Sequence, residues 1–170
     1  ISFPFLLAVI AAPSVAQNSP ESRLVTPDEI REGLTPDGSR WVTFGGDYNN
    51  QRHSPLTQIS PENVHQLVPQ WTFQTNVLEK FETTTLFRDN VLYVTGPLNT
   101  AWALDARSGR PFWEYRRELP EFLTACCGLV NRGFAMMGDK LYMVTLDAHL
   151  LAFDSATGRI VWDATMADYT

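Results

Sequence analysis

Several absences narrow what this sequence of 170 residues can do. It has no glycine-rich nucleotide-binding loop, because the Gly45-Gly46 pair is too short for a dinucleotide or P-loop motif. Its three histidines, His53, His65 and His149, show no spacing with Cys, Asp or Glu that is typical of a closed metal site, and we expect them in turns or on the surface. Basic residues are few, 13 Lys and Arg against 19 Asp and Glu, and the net charge of −6 disfavours binding to nucleic acid or to an anionic membrane.

A hydrophobic run long enough to span a bilayer is also missing, so we expect no stable membrane insertion. The chain opens on a shorter apolar run, and Ser14-Val15-Ala16 then supplies the small residues that precede a cleavage point. Residues 1–16 are therefore predicted to be a signal peptide whose initiator methionine and basic start are not in the chain, the alternative being a buried apolar strand. Gln17 rather than a cysteine follows the predicted cut, which argues against a lipid anchor.

What the sequence does contain is an internal repeat with an offset of 49 residues. Seven positions of one copy recur in the other. The pairs are Leu92 and Leu141, Tyr93 and Tyr142, Ala103 and Ala152, Asp105 and Asp154, Ser108 and Thr157, Gly109 and Gly158, and Trp113 and Trp162.

Each copy contains four short strand-like runs separated by turn residues. Four strands per period of about 40 to 50 residues are typical of a β-propeller blade. The predicted strands are 84–87, 91–95, 100–105 and 111–115 in the first copy, and 134–137, 141–145, 149–154 and 160–163 in the second. Two blades cannot close a ring, so we expect the chain to be the N-terminal part of a larger protein.

The repeated turn has a physical explanation. Its Asp and Ser or Thr can satisfy backbone groups, and its Gly permits a positive φ angle. The tryptophan that follows, Trp113 or Trp162, is predicted to be a structural core residue that joins one blade to the next.

Two helices are predicted ahead of the blades. Thr26-Pro27-Asp28-Glu29 is a capping box with proline in the first turn, which predicts a helix from Thr26 to about Gly33. Ser60-Pro61-Glu62-Asn63 predicts a second one, from Ser60 to about Leu67.

The only two cysteines, Cys126 and Cys127, are adjacent. Neighbouring Cα atoms lie ~3.8 Å apart, whereas disulfides usually have ~4.4–6.8 Å, so a bond between this pair would close a strained ring. Strain of that kind suggests that the cysteine pair belongs to a functional site. The alternative is a pair of reduced, buried cysteines that serve as small apolar side chains.

The repeat places two charged residues beside this pair. Shifted back by 49 residues, Asn131 falls on Glu82 and Arg132 on the next residue, so Glu82 and Arg132 occupy nearly the same place in successive blades. Both lie at the start of an inner strand, and these starts converge on the propeller axis. The sequence thus predicts an acid, an arginine and the cysteines around one end of the channel, suited to a planar anionic ring. A plain ion pair at the rim is the alternative.

Three segments resemble one known family. The run from Cys126 to Gly133, Cys-Cys-Gly-Leu-Val-Asn-Arg-Gly, resembles the pyrroloquinoline quinone (PQQ) dehydrogenases of the methanol and ethanol type. The Ala-x-Asp-x-x-Ser/Thr-Gly-x-x-x-Trp repeat is similar to the tryptophan-docking motif of the eight-bladed quinoprotein propellers, and residues 41–56 resemble the segment that precedes their first blade. The resemblance implies an all-β fold, the N-terminal part of an eight-bladed propeller. Residues 17–73 would form a leading segment with short helices and, at 68–73, a ring-closing outer strand, and residues 74–170 the first two blades.

The resemblance also implies a function, the oxidation of small alcohols to aldehydes by bound PQQ in the periplasm, with electrons passed to a cytochrome c-type acceptor. By analogy with the family, Glu82 and Arg132 would hydrogen-bond PQQ, and a Cys126–Cys127 disulfide would cover its face. The family's calcium or lanthanide ligands and catalytic aspartate lie in later blades, so this chain alone should be inactive. The sequence departs from the family at Thr85, where proline is usual, and at Gly128, where aspartate is frequent.

Two other interpretations stay open. One is a non-enzymatic periplasmic scaffold that resembles the outer-membrane assembly lipoproteins, which share the docking repeats but have no need of Glu82, Arg132 and the cysteines. The other is a membrane-bound sugar dehydrogenase of the quinoprotein type, against which the cysteine pair argues.

Overall fold

The computed structural model describes residues 24–121, 123 and 125–169, and the predicted signal peptide lies outside this part of the chain. Two antiparallel sheets make up most of the structure, each with its strands in chain order. The first contains β1 (Arg40–Trp41), β2 (Leu86–Arg88), β3 (Val91–Gly96), β4 (Thr100–Asp105) and β5 (Pro111–Tyr115). The second contains β6 (Ala135–Met137), β7 (Lys140–Val144), β8 (His149–Asp154) and β9 (Ile160–Thr165).

The two sheets confirm the repeat. All eight strands that the sequence predicts are present, with ends that differ by at most two residues. Strand β1 was not predicted, and it adds a fifth strand to the first sheet by pairing Trp41 with Phe87. It consists of only two residues, which is too short for an alternating pattern of apolar and polar residues to identify it.

Side chains alternate between the two faces of each strand, and this alternation places the core between the sheets. In β7, Leu141 and Met143 are fully buried against the first sheet, whereas Val144 is 63% exposed on the other side. Leu151 and Phe153 of β8 are fully buried as well. The second sheet therefore has one packed face and one open face.

The predicted first helix is confirmed as α1 (Pro27–Glu32), with Thr26 as N-cap, a complete capping box and Gly33 as C-cap. At this end of the molecule Val25 exchanges two backbone hydrogen bonds with Gly138 of the second sheet, at 2.7 and 2.8 Å. The segment that carries α1 thus connects both sheets. Within the described residues no helix is long and apolar enough to cross a membrane.

The prediction of a helix from Ser60 was wrong. Only a single 3₁₀ turn forms, Val64–Gln66, and its N-cap is Asn63. The Asn63 side chain accepts a hydrogen bond from the Ser60 backbone N–H at 2.8 Å and donates one to the Gln58 carbonyl at 2.8 Å. These local bonds favour a turn over a helix. Residues 68–73 pair with no strand in the described part of the chain, so the ring-closing strand stays a prediction.

Candidate functional site

The inner strands of the two sheets meet where the repeat predicts. Thr84 forms an isolated parallel bridge with Gly133, its equivalent 49 residues later, and the Thr84 N–H donates to the Arg132 carbonyl at 3.1 Å. Gly133 has a φ angle of 131°, and a Cβ atom there would lie 2.8 Å from the Thr84 carbonyl oxygen. Only glycine allows this close approach. It brings the residues that precede both inner strands to one place.

Glu82 and Arg132 form an ion pair at this place. An Arg132 guanidinium nitrogen donates to Glu82 Oε2 at 2.8 Å. Both side chains face solvent, with 62% of Arg132 and 38% of Glu82 exposed. The rim ion pair considered from the sequence is therefore present, and it leaves donor and acceptor atoms accessible to a ligand.

The cysteine pair lies beside these charges. Both residues are exposed, so the alternative of two buried cysteines was wrong. They are free thiols here, with the Cys126 and Cys127 Sγ atoms 2.9 Å apart in a hydrogen bond. That bond and the neighbouring Cys126 raise the pKa of Cys127, while the nearby charge of Arg132 opposes the shift and that of Glu82 adds to it. All four predicted site residues therefore form one cluster.

Asn131 holds this cluster in place, a role that the sequence did not reveal. Its side-chain amide donates to the Val144 carbonyl at 2.9 Å, and its side-chain oxygen accepts from the Gly133 N–H at 3.1 Å. Asn131 is 9% exposed. Because both bonds fix the backbone on either side of Arg132, the asparagine of the motif is structural.

A cleft of about 530 Å³ opens next to Arg132 on the open face of the second sheet. Its lining is mainly apolar. It includes Phe44, Val130, Phe134, Tyr142, Val144 and Leu150.

The histidines divide into two groups. His53 and His65 are exposed, as expected. The expectation was wrong for His149, which begins β8 and whose Nδ1 contacts an Asp163 carboxylate oxygen. Asp163 of β9 pairs with Leu151, so it lies diagonally across from His149, a proximity set by sheet pairing rather than by sequence spacing. Within the described ranges no group of three or more His, Cys, Asp and Glu side chains could hold a metal ion.

The prediction of a core tryptophan is confirmed for Trp113 but wrong for Trp162, which is 40% exposed, and a second docking tryptophan, Trp71, was missed. Its indole N–H donates to the Ala106 carbonyl at 3.1 Å, just as that of Trp113 donates to the Ser155 carbonyl at 2.9 Å. Ala106 and Ser155 are equivalent under the 49-residue shift. An aromatic residue two positions after each tryptophan, Phe73 and Tyr115, was the available signal.

Comparison with known proteins agrees with this geometry. Residues 41–167 match the family described as glucose/ethanol/alcohol dehydrogenase, beta-propeller domain, designated PQQ. The fold and the family match thus define the class of this chain as a PQQ-type β-propeller.

The relatives narrow that class to quinoprotein alcohol dehydrogenases. The chain is 38% identical over 171 residues to 1-butanol dehydrogenase (quinone) of Thauera butanivorans, which covers 98% of this chain and 27% of that protein. The structure of quinohemoprotein alcohol dehydrogenase ADHIIG from Pseudomonas putida superposes with a TM-score of 0.76 at 36% identity, over 85% of this chain and 21% of that one. A europium-containing methanol dehydrogenase gives a TM-score of 0.76 at 33% identity, over 83% of this chain and 25% of that one. The chain belongs to this family and spans about a quarter of the length of these relatives.

Proposed function

We propose that this chain is the cofactor-contacting, N-terminal part of a PQQ-dependent alcohol dehydrogenase. The convergence of Glu82, Arg132 and the two cysteines at the start of adjacent inner strands carries the proposal. A propeller scaffold has no need of this cluster. Family membership supports the chemistry, since the similar proteins include alcohol dehydrogenases named for their quinone.

The residues present fit an anionic, planar quinone. The Arg132 guanidinium offers several donors in one plane, and quinone and carboxylate oxygens are suitable acceptors for them. Glu82 can accept a hydrogen bond from a protonated edge of the same ring. The exposed Cys126 and Cys127 would cover one ring face. When bound, PQQ supplies the redox chemistry that converts an alcohol to an aldehyde, and the chain's own residues bind and orient it.

Other parts of the proposal rest on the family alone. A calcium or lanthanide ion would be held by residues outside this chain, and the europium in a similar methanol dehydrogenase supports that view. A cytochrome-type electron acceptor is suggested by the quinohemoprotein relative. Export through a signal peptide at residues 1–16 would place the protein in the periplasm, where oxidised cysteines persist.

We expect Cys126 and Cys127 to be joined by a disulfide in the mature, exported protein. The two Sγ atoms already lie 2.9 Å apart, so they are placed to bond once the side chains and the backbone of the strained ring adjust. Mass spectrometry of the unreduced full-length protein should show the loss of two hydrogens and no alkylation at either residue. In a Cys126→Ser variant the remaining thiol should react. Alkylation of both cysteines in active wild-type enzyme would disprove the disulfide.

The substitution Arg132→Ala tests the cofactor site. It removes a charge-assisted contact worth ~1.5–3 kcal/mol, so the affinity of the full-length apoenzyme for PQQ should fall roughly tenfold to a hundredfold. Folding should be unaffected, because 62% of the Arg132 side chain is exposed. The measurement is titration with PQQ and a divalent or trivalent cation, followed by dye-linked alcohol oxidation.

Arg107→Ala is the matched control, since this exposed arginine lies in the turn after β4 at the opposite end of the sheet. It should leave PQQ affinity unchanged. Equal PQQ affinity of the wild type and of Arg132→Ala would show that Arg132 does not contribute to cofactor binding. If the wild type binds no PQQ at all, the proposed enzymatic function is wrong and the scaffold interpretation takes its place.

A further inference from the structure

Residues 116–132, which make up most of the segment between β5 and β6, are called the cysteine loop because they include both cysteines and Arg132. Its described residues, 116–121, 123 and 125–132, contain no helix or strand. The position of the thiols and of Arg132 therefore depends on side-chain and isolated backbone contacts. Besides the contacts of Asn131 and Thr84 described above, two connections lead to one buried carboxylate, that of Asp147 in the turn between β7 and β8.

The start of the cysteine loop is tied to Asp147 through Arg117. Arg117 Nε donates to Asp147 Oδ2 at 2.8 Å, and a second nitrogen of the same guanidinium donates to Asp163 Oδ2 at 2.9 Å. The side chain of Arg117 is 18% exposed and that of Asp147 only 8%. Removing one partner of an ion pair that is shielded from water costs more than removing one partner of a surface pair, because the other charge stays buried without compensation.

The end of the cysteine loop is tied to the same carboxylate through the first sheet. Asp147 Oδ1 accepts a hydrogen bond from the Asn99 amide at 3.1 Å, and Asn99 Oδ1 accepts one from the Leu146 N–H at 3.0 Å. Asn99 is fully buried in the turn between β3 and β4. The preceding residue, Leu98, donates its N–H to the Leu129 carbonyl at 2.9 Å, two residues beyond the cysteines.

The surroundings keep Asp147 ionised and therefore a strong acceptor. Burial raises its pKa, but hydrogen bonds from Thr145 and Arg117 outweigh burial, and the net pKa lies below its usual value. His149 Nε2 lies 3.9 Å from Asp147 Oδ2, and Asp163 shares both Arg117 and His149 with it.

We propose that Asp147 is a positioning residue for the cysteine loop, which it fixes at its start through Arg117 and near its end through Asn99. In the described part of the chain, no hydrogen bond or ion pair joins Asp147, Arg117 or Asn99 to the proposed cofactor cluster. Asp147 would act on that cluster only by holding the backbone that carries it. The effect on PQQ rests on the proposed function, whereas the fixation of the loop does not.

Hydrogen exchange of the full-length protein tests the fixation directly. In Asp147→Asn the side chain keeps its shape but loses the charge that binds Arg117. Loss of a charge-assisted bond should raise the exchange rate of amides in residues 118–132 by about tenfold or more, while the amides of β7 and β8 keep their protection. Faster exchange across the whole second sheet, or no change in the loop, would overturn the proposal.

Three further variants make the test specific. Arg117→Ala cuts only the connection at the loop's start and should reproduce the loop-localised increase even if Asp147→Asn fails to fold. Arg117→Lys keeps one charged contact and should recover part of the protection. Asp163→Asn leaves the Arg117–Asp147 bond intact. Its effect on loop exchange should therefore be smaller than that of Arg117→Ala or Asp147→Asn, each of which breaks that bond.

PQQ affinity provides a second, independent test of the positioning role. If the proposed function holds, PQQ affinity in Arg117→Ala should fall about tenfold, through loss of one charge-assisted bond that orders the site, while the amides of β7 and β8 stay protected from exchange. Unchanged PQQ affinity together with a mobile loop would show that loop order does not matter for the cofactor and would overturn the positioning role. Absence of PQQ binding in the wild type would contradict the proposed function, and the exchange data would still decide whether Asp147 fixes the loop.

Discussion

Trp113→Ala should lower the free energy of unfolding of the full-length protein by ~3–5 kcal/mol, through loss of buried apolar contacts and the cavity left behind. The indole is 8% exposed and lies between the two sheets. It is nearly parallel to Phe153, with ring centroids 6.2 Å apart and planes 8° apart, and it contacts the edge of Phe134. Its N–H donates to the Ser155 carbonyl at 2.9 Å. Denaturation in guanidinium, followed by circular dichroism, measures the effect.

Two control variants separate packing from hydrogen bonding. Trp113→Phe keeps an aromatic ring between the sheets but loses the hydrogen bond to Ser155, and it should cost less than the alanine variant. Tyr48→Ala removes an aromatic residue that is 73% exposed and should stay within about 0.5 kcal/mol of wild type. PQQ affinity should not change in any of the three. A loss below about 1 kcal/mol in Trp113→Ala would contradict the inter-sheet role, since removal of a packed tryptophan is expected to cost several times that amount.

The docking tryptophan shows why the fold was predictable from the sequence. A Cβ atom on Gly158 would lie 2.5 Å from Trp113 Cδ2, so the glycine is required both by its φ angle of 70° and by the indole above it. The same two residues recur as Gly109 and Trp71. Each blade thus repeats the residues by which it receives the preceding tryptophan, and that repetition is visible as a 49-residue period.

The same period predicted where the site forms, because equivalent positions in adjacent blades become neighbours in space. Thr84 and Gly133 are equivalent positions and form a β-bridge. This bridge brings the neighbouring Glu82 and Arg132 within hydrogen-bond distance of each other. The repeat relates only part of what supports the site. Asn99 and Asp147 lie 48 positions apart and are therefore within one residue of equivalence, whereas Asn131 and Val144 lie 13 positions apart, a separation that the period does not relate.

The failed helix at Ser60 has a different cause. Proline and glutamate after the serine resemble a helix start, but the competing side-chain bonds of Asn63 are equally local and stabilise a turn. At Thr26 no such competitor acts, and the Glu29 side chain accepts from the Thr26 N–H at 3.0 Å to complete the capping box. A capping pattern therefore predicts a helix only when the following residues have no better partner.

Glu29→Ala should be the second strongly destabilising change, at ~3–5 kcal/mol, because it leaves the buried Arg88 with only the more exposed carboxylate of Asp89, 3.3 Å from its Nε. Two guanidinium nitrogens of Arg88 donate to the two Glu29 carboxylate oxygens, both at 3.2 Å. The Arg88 side chain is 6% exposed and that of Glu29 18%. Since Arg88 belongs to β2 and Glu29 to α1, this pair joins the helix to the first sheet.

Control variants on the same helix isolate the charge. Glu29→Gln retains an acceptor for the capping box and should still lose most of the stability, because Arg88 then keeps only the more exposed carboxylate of Asp89. Glu32→Ala removes a carboxylate that is 67% exposed and pairs with Arg40 at 3.0 Å, and it should cost at most about 1 kcal/mol. Equal losses for the Glu29 and Glu32 variants in guanidinium denaturation would refute a special role for the buried pair.

The pH dependence of stability provides a second test of the same pair. Burial raises the pKa of Glu29, but the Thr26 backbone hydrogen bond and Arg88 outweigh burial and lower it in the folded protein. A carboxyl group with a lowered folded pKa binds fewer protons when folded than when unfolded, so its contribution is complete above the unfolded pKa of ~4.3 and is lost as the pH falls through the folded pKa. The difference in unfolding free energy between wild type and Glu29→Gln should therefore be constant between about pH 6 and 8 and shrink below about pH 4, where the wild-type carboxyl becomes protonated. A difference that persists unchanged at the lowest pH at which both proteins fold would show that the charge on Glu29 is not what stabilises Arg88.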